Sequence, residues 1–178
     1  AQAHGTLIHG YVMLPGSVQL LATPQAAPGL SLTMQTLGRR YVARFNRRHG
    51  RSGSLWEGRY RTTVLEAERY FMTALIHVER QPVRQQLVVH AADWPWSSAA
   101  HHVGLVRDPL VTPHALYWVL GNTPFEREMA HRAQLEAGIA EADELTLMQA
   151  TLKGWVLGSP AFVTALEAAT DRPLQPRQ

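Results

Sequence analysis

The feature that most constrains this chain is a Pro–Gly dipeptide at positions 15 and 16, followed by a segment in which Val18, Leu20 and Ala22 alternate with Ser17, Gln19 and Leu21. The dipeptide marks a turn, and strands are predicted on either side of it, near Leu7–Leu14 and Val18–Thr23. Ser17 and Gln19 lie two residues apart, so period-two geometry places both side chains on one face of the second strand. A strand holds a matched pair of metal ligands at this spacing, but a serine hydroxyl and a carboxamide are poor metal ligands.

The composition predicts one hydrophobic core, or a core domain with a helical appendage, because the 178 residues are 46% hydrophobic and 17% charged. No apolar run approaches the roughly twenty residues that span a bilayer, and the first ten residues do not form a signal peptide. The chain has no cysteine, which excludes disulfides, thiolate nucleophiles and zinc–thiolate sites. We therefore expect a cytoplasmic protein with no membrane partner. Because the chain starts at Ala1, in the middle of an element, we also expect an upstream segment.

The basic charge is concentrated in one window, from Gly38 to Thr63. This window contains eight arginines and one acid, Glu57, so its charge is +7. The rest of the chain has a charge of −4, which gives the net charge of +3. Arginine suits bidentate phosphate contact and stacking on bases, which favours a nucleic-acid partner over the alternative, a solvated helix face. The window contains Arg39, Arg40, Arg44, Arg47, Arg48, Arg51, Arg59 and Arg61.

Much of this window belongs to a predicted helix, from about Leu32 to Arg48. Its apolar positions recur at helical spacing, and three arginines form a stripe beside them, so the helix can dock and still present arginine. The segment LWEGRYRTTVL is predicted to form a strand, in which Trp56 and Tyr60 share a face unless Gly58 marks a bulge. These two rings either stack on bases or pack in the core. The helix positions are Met34, Leu37, Tyr41 and Phe45 on the apolar side, with Arg40, Arg44 and Arg47 beside them.

A second helix is predicted from Glu66 to Arg80, ending before Pro82 because the residue preceding proline disfavours helical geometry. Its apolar stripe contains Phe71, Leu75 and Val78, and its opposite side is polar. The segment DWPWSSAAHH is typical of a tryptophan-anchored turn followed by the start of a helix. Beyond about Val106 the chain is predicted to be helical, in segments separated by Pro or Gly. The polar side contains Glu66, Tyr70, Thr73 and His77, and Gln81 continues it.

Taken in order, four segments resemble the REP-associated tyrosine transposases, a branch of the HUH single-strand DNA transposases. They are YVMLPGSVQLLATP, MQTLGRRYVARFNRRHGRSGSLWEGRYRTTVL, HVERQPVR and DWPWSSAAHH, and the tail KGWVLGSPAFVTALEAATDRPLQPR resembles that of many members. The resemblance implies an α+β fold with a ferredoxin-like antiparallel sheet in residues 1–105, followed by an all-helical extension in residues 106–178. It also implies that the family's first strand and helix lie upstream of residue 1.

The resemblance further implies where the catalytic residues of the family fall. Family members hold Mg²⁺ or Mn²⁺ with two strand histidines, attack DNA with a helix tyrosine, and complete the metal site one helical turn later. In this chain the histidine positions are Ser17 and Gln19, the tyrosine position is His77, and the last position is Gln81. Only Gln81 keeps suitable chemistry, so we expect no metal and no intact catalytic residues. The neighbouring His101 and His102 point in different directions and are not expected to form a metal site.

The sequence therefore predicts a catalytically inactive, transposase-derived protein that binds single-stranded or hairpin DNA and associates with the nucleoid. The predicted DNA-binding residues are the eight arginines of the basic window together with Tyr60. Two alternatives remain open. One is an active nicking and joining enzyme with an unorthodox site. The other is an interaction module whose C-terminal helices bind a second copy or another protein.

Overall fold

The computed structural model describes residues 1–170 and 174–175, and it has an α+β architecture. Strands β1 and β2 pair as a two-stranded antiparallel sheet, which confirms both predicted strands. The long helix predicted from about Leu32 to Arg48 is also confirmed, as α1. In chain order the elements are β1 (Thr6–Leu14), β2 (Ser17–Pro24), α1 (Gly29–His49), α2 (Ala67–Arg84), α3 (Ala99–His102), α4 (Ala115–Trp118), α5 (Pro124–Ala137), α6 (Glu141–Lys153) and α7 (Pro160–Glu167).

The chain divides into two compact units. The first unit contains residues 1–8 and 22–60, and the second contains residues 9–21 and 61–178. The predicted boundary at residue 105 lies inside the second unit, in which α2 packs with α4, α5 and α6 and α3 packs with α5. Positions 171–173 and 176–178 of the predicted extension lie outside the described residues.

In the first unit, the N-terminal half of α1 is fixed by polar contacts. Thr33 Oγ1 donates to Thr6 Oγ1 at 2.9 Å, and His4 Nε2 lies 2.9 Å from Thr36 Oγ1. Gly29 permits the close approach, since a Cβ there would lie 2.7 Å from the carbonyl oxygen of His4. This anchoring holds the first turns of α1 and leaves the rest of the helix to project its side chains outward.

The second unit has its core around α2. Phe71, Leu75 and Val78 are buried as the sequence predicted. Leu75 packs against β1 at Gly10, where a Cβ would come within 2.4 Å of the leucine side chain. The tryptophan-anchored turn is confirmed as well, because Trp94 Nε1 donates to the Met13 carbonyl at 2.9 Å and α3 begins shortly afterwards.

The predicted end of α2 is wrong. The helix continues through Pro82 to Arg84. Proline removes one backbone donor and only disfavours helical geometry in the residue before it. Here Pro82 is itself buried, and its carbonyl accepts from the N–H of Leu87 at 2.9 Å, so the last turn remains satisfied.

The strand predicted for LWEGRYRTTVL is also wrong, since residues 55–64 form bends and irregular structure. A strand requires a neighbour to take its backbone hydrogen bonds. In the described chain such a neighbour is present only at the end of the segment, where Leu65 forms a parallel bridge with Leu157. Because this segment is not a strand, Gly58 does not form a β-bulge.

The helical extension is confirmed over the described residues, because α4, α5, α6 and α7 follow one another between residues 115 and 167. Local sequence explains the starts of two of them. Thr123 and Glu126 form a capping box at α5, and Ser159 accepts from the N–H of Phe162 at α7. Among the described residues, none of the helices combines the length and the apolar character that crossing a membrane requires.

Candidate nucleic-acid interface

The surface of α1 is strongly basic. The first unit has seven arginines and one acid, which gives it a side-chain charge of +6. The second unit has a charge of −3, and the two add to the net charge of +3. Arg40, Arg44 and Arg47 recur at helical spacing on one side of α1, and all three are exposed. The seven arginines of the first unit, all exposed, are Arg39, Arg40, Arg44, Arg47, Arg48, Arg51 and Arg59.

These arginines have no acidic partners among the described residues. The ion pairs in that part of the chain join Arg69 to Glu66, Arg84 to Glu144, and two histidines to Glu79, all within the second unit. Arg47 and Arg48 also lie in the last turn of α1, where cations favour the helix dipole. That effect is confined to the last turn and leaves the arginines earlier in the helix unexplained.

The loop that follows α1 folds back onto the helix. Helix α1 ends at His49 and is capped by Gly50, whose φ of 60° is left-handed. Asn46 Nδ2 then donates to the carbonyl of Gly53 at 2.8 Å, and Ser54 Oγ accepts from the N–H of Trp56 at 3.1 Å. The indole lies over Gly38, where a Cβ would sit 3.5 Å from Nε1. A short turn thereby places a tryptophan against the basic helix.

Aromatic rings continue along this side of α1. Tyr41 lies 5.6 Å from Trp56 and 5.9 Å from Phe45 between ring centroids, and the guanidinium of Arg51 lies 5.9 Å from the Phe45 centroid. Tyr41 is 48% exposed and Trp56 is 41% exposed. The side of α1 predicted to dock, which includes Leu37 at 42% exposure, is therefore largely at the surface.

The remaining predicted DNA-binding residues lie nearby in sequence but differ in environment. Tyr60 is 41% exposed, and its hydroxyl lies 3.2 Å from Ser31 Oγ of α1. Arg61 belongs to the second unit and donates to the carbonyl of Leu152 at 3.1 Å. The first unit thus contains every predicted DNA-binding residue except Arg61.

The four positions that the resemblance predicts to be catalytic form two separate pairs. Ser17 and Gln19 lie at the start of β2, the first exposed and the second partly buried. His77 and Gln81 lie one turn apart on α2, with Gln81 Nε2 3.2 Å from His77 Nε2. Among the described residues, no hydrogen bond or ion pair joins one pair to the other.

The chemistry of these four side chains does not fit the divalent ion that family members hold. The set offers a hydroxyl, two carboxamides and one imidazole, without any carboxylate. Burial, with the positive charge of Arg84 as a smaller contribution, lowers the pKa of His77 to about 4. His77 is therefore a neutral, hydrogen-bonded imidazole at pH 7.

The second unit contains a buried polar cluster that sequence patterns did not predict, which we call the Glu79 cluster: Glu79, Ser98, His102 and His131. Glu79 Oε1 accepts from His102 Nδ1 at 2.6 Å and from Ser98 Oγ at 2.5 Å, and Glu79 Oε2 accepts from His131 Nε2 at 2.7 Å. At most 2% of any of these side chains is exposed. The cluster joins α2, the residue before α3, α3 itself and α5.

The histidines lower the pKa of the Glu79 carboxyl group. Burial alone would raise this pKa, but the charge and hydrogen bonds of His102 and His131 outweigh burial. A signal for this cluster was present in the sequence, because Glu79 lies one turn after Leu75 on the apolar side of α2. A carboxylate at a core position requires buried partners, yet the sequence does not say which histidines supply them.

Comparison of the chain with family models, curated proteins and solved structures found no match.

Proposed function

We propose that this chain is a transposase-derived protein that binds single-stranded or hairpin DNA without cleaving it. The observation that carries the proposal is the surface of α1, where exposed arginines without acidic partners lie beside the exposed rings of Tyr41 and Trp56. Arginines supply phosphate contacts, and exposed aromatic rings supply stacking surfaces for unpaired bases. A solvated helix face requires neither the uncompensated charge nor the adjacent aromatic rings.

Loss of catalysis follows from the side chains at the family's catalytic positions. Ser17 and Gln19 replace the two histidines that neutralise the scissile phosphate, and His77 replaces the tyrosine nucleophile. A neutral imidazole is a possible nucleophile, but its attack still requires charge neutralisation at the phosphoryl oxygens. The proposal includes the family fold, in which β1, β2, α1 and α2 belong to a ferredoxin-like core with further strands, and it includes association with the nucleoid.

The test is the salt dependence of binding to a labelled DNA hairpin with a single-stranded flank, measured by fluorescence anisotropy. Five or six phosphate contacts predict a log–log slope near −4, at about −0.7 for each contact to a single strand. Removing two contacts in the variant Arg40→Ala/Arg44→Ala should reduce the slope by about 1.4 and weaken binding to all sequences alike.

A matched control removes the same charge elsewhere. Arg69 and Arg107 are exposed and belong to the second unit. The variant Arg69→Ala/Arg107→Ala should keep the slope of the unmodified protein, because bulk charge alone does not form contacts. A slope near zero for the unmodified protein, or equal losses in the two variants, contradicts the proposed interface.

The same samples distinguish the two other functions. A covalent protein–DNA adduct that forms with Mg²⁺ or Mn²⁺ and disappears in His77→Ala would identify an active enzyme in which His77 supplies the nucleophile. Absence of both binding and adduct would favour a protein-interaction module, with a second copy or another protein bound through the C-terminal helices.

A further inference from the structure

Three side chains of the Glu79 cluster meet the requirements of a metal site on grounds separate from the DNA interface. Glu79, His102 and His131 each offer one ligand atom, and these atoms lie within 4.8 Å of one another. Each residue comes from a different helix, α2, α3 and α5 respectively. A search of the described residues for three or more histidine, cysteine or acidic side chains whose ligand atoms lie this close together finds these three residues.

We propose that Glu79, His102 and His131 bind a divalent transition-metal ion of the zinc class in the interior of the second unit. Two imidazole nitrogens and one carboxylate suit Zn²⁺, whereas Mg²⁺ and Ca²⁺ prefer sites built from oxygen ligands. The chain has no cysteine, so no thiolate competes for the ion. Ser98 fixes the carboxylate by donating to Glu79 Oε1 at 2.5 Å.

The side chains are close to coordination distances. In a tetrahedral site with bonds of about 2.0 Å, ligand atoms lie roughly 3.3 Å apart. The nitrogen–oxygen separations are 2.6 Å for His102 and 2.7 Å for His131, which are hydrogen-bond distances. His102 contacts Oε1 of Glu79 and His131 contacts Oε2. Lengthening each of these two contacts by about 0.6–0.7 Å gives the tetrahedral separation. The ion would then take the place of the protons in the two hydrogen bonds.

The surroundings of His131 set the expected strength of binding. Its Nδ1 atom is buried and has no hydrogen-bond partner among the described residues. A metal-bound histidine usually donates its other N–H to an acceptor, and loss of such a partner reduces metal affinity about 10–100-fold. We therefore expect zinc to bind more weakly, by that factor, than in a fully supported site.

Burial also sets how the ion enters. His131 and Glu79 are fully buried, and His102 is 2% exposed, so the folded cluster offers little access. The test therefore refolds the full chain from denaturant with one equivalent of Zn²⁺ and removes loosely held metal by gel filtration. Zinc is then measured by mass spectrometry. We expect about one zinc per chain, and at least a tenfold lower zinc content in His131→Gln.

The matched control is His101→Gln, because His101 neighbours His102 but its Nδ1 accepts instead from the backbone N–H of Asp108 at 3.1 Å. This variant should keep the full zinc content. Zinc content below a tenth of an equivalent in the unmodified protein, or equal content in His131→Gln and His101→Gln, overturns the proposal.

If His131→Gln fails to fold, zinc-edge anomalous diffraction from the refolded unmodified protein tests the site instead. An ion between Glu79 and the two histidines supports the site, and zinc found elsewhere or nowhere overturns it.

Discussion

Removing the carboxylate of Glu79 should destabilise the second unit strongly. In Glu79→Ala, the ring nitrogens of His102 and His131 and the hydroxyl of Ser98 lose their shared acceptor inside the core. Breaking a buried ionic network by removing one member typically costs about 3–5 kcal/mol, because the remaining polar groups stay desolvated. Glu79→Gln keeps the shape and one acceptor oxygen, so its cost should be smaller, about 2–3 kcal/mol for the lost charge-assisted bonds.

The measurement is urea unfolding followed by circular dichroism, at pH 7 in the presence of a chelator so that metal binding does not contribute. The matched control is Glu136→Gln on α5, whose side chain is exposed and whose effect should stay within about 0.5 kcal/mol. A folded Glu79→Ala protein within about 0.5 kcal/mol of the unmodified one would refute the argument. The order of the two Glu79 variants is a second check, since a larger loss for the glutamine variant contradicts the reasoning from unsatisfied donors.

Three further predictions concern the interface, the histidines and the lost catalysis. Trp56→Ala should weaken hairpin binding by about 1–3 kcal/mol through lost stacking while leaving the melting temperature nearly unchanged, and Tyr60→Ala tests the second ring in the same anisotropy and melting assays. Acidification from pH 7 to 5 should lower the unfolding free energy of the protein by about 1 kcal/mol, after allowance for the partial exposure of His77, because the folded state disfavours the protonated form of this histidine. The folded pKa of about 4 lies below the unfolded value of 6.5, so this stability is complete above pH 6.5 and is lost as the pH falls towards 4. Urea unfolding of His77→Gln at both pH values should show a weaker pH dependence. Finally, Ser17→His/Gln19→His/His77→Tyr should regain an adduct with a DNA hairpin in Mn²⁺ on a denaturing gel, whereas each single change should do little, because metal and nucleophile act as a unit.

Local patterns in the sequence were sufficient for most of the secondary structure. The Pro–Gly turn and the period-two alternation after it located β1 and β2, and helical periodicity with Pro and Gly breaks located α1 and the helices of the extension. The errors arose where tertiary contacts decide the outcome. Pro82 is accommodated because the backbone groups of the last turn find other partners. Residues 55–64 are irregular because, in the described part of the chain, a bridging neighbour is present only at Leu65.

The candidate sites differ in how far sequence could predict them. The arginines of α1 are predictable because helical spacing alone decides which ones share a side. The contact of Trp56 with Tyr41 depends on the irregular path of residues 55–64, where the sequence predicted a strand instead. Burial of Glu79 could be predicted from its position on α2, but its partners could not, since they lie on other elements and His131 is 52 residues from Glu79 in sequence.

Photo-cross-linking of a DNA hairpin with a halogenated uracil in its single-stranded flank tests the central claim most directly, because it reports which side chains contact the DNA. The account predicts cross-links at Tyr41 or Trp56, where exposed rings lie beside the arginines of α1. These cross-links should disappear as salt displaces the hairpin. Cross-links confined to the second unit, or a DNA complex without any cross-link in residues 38–60, would contradict it.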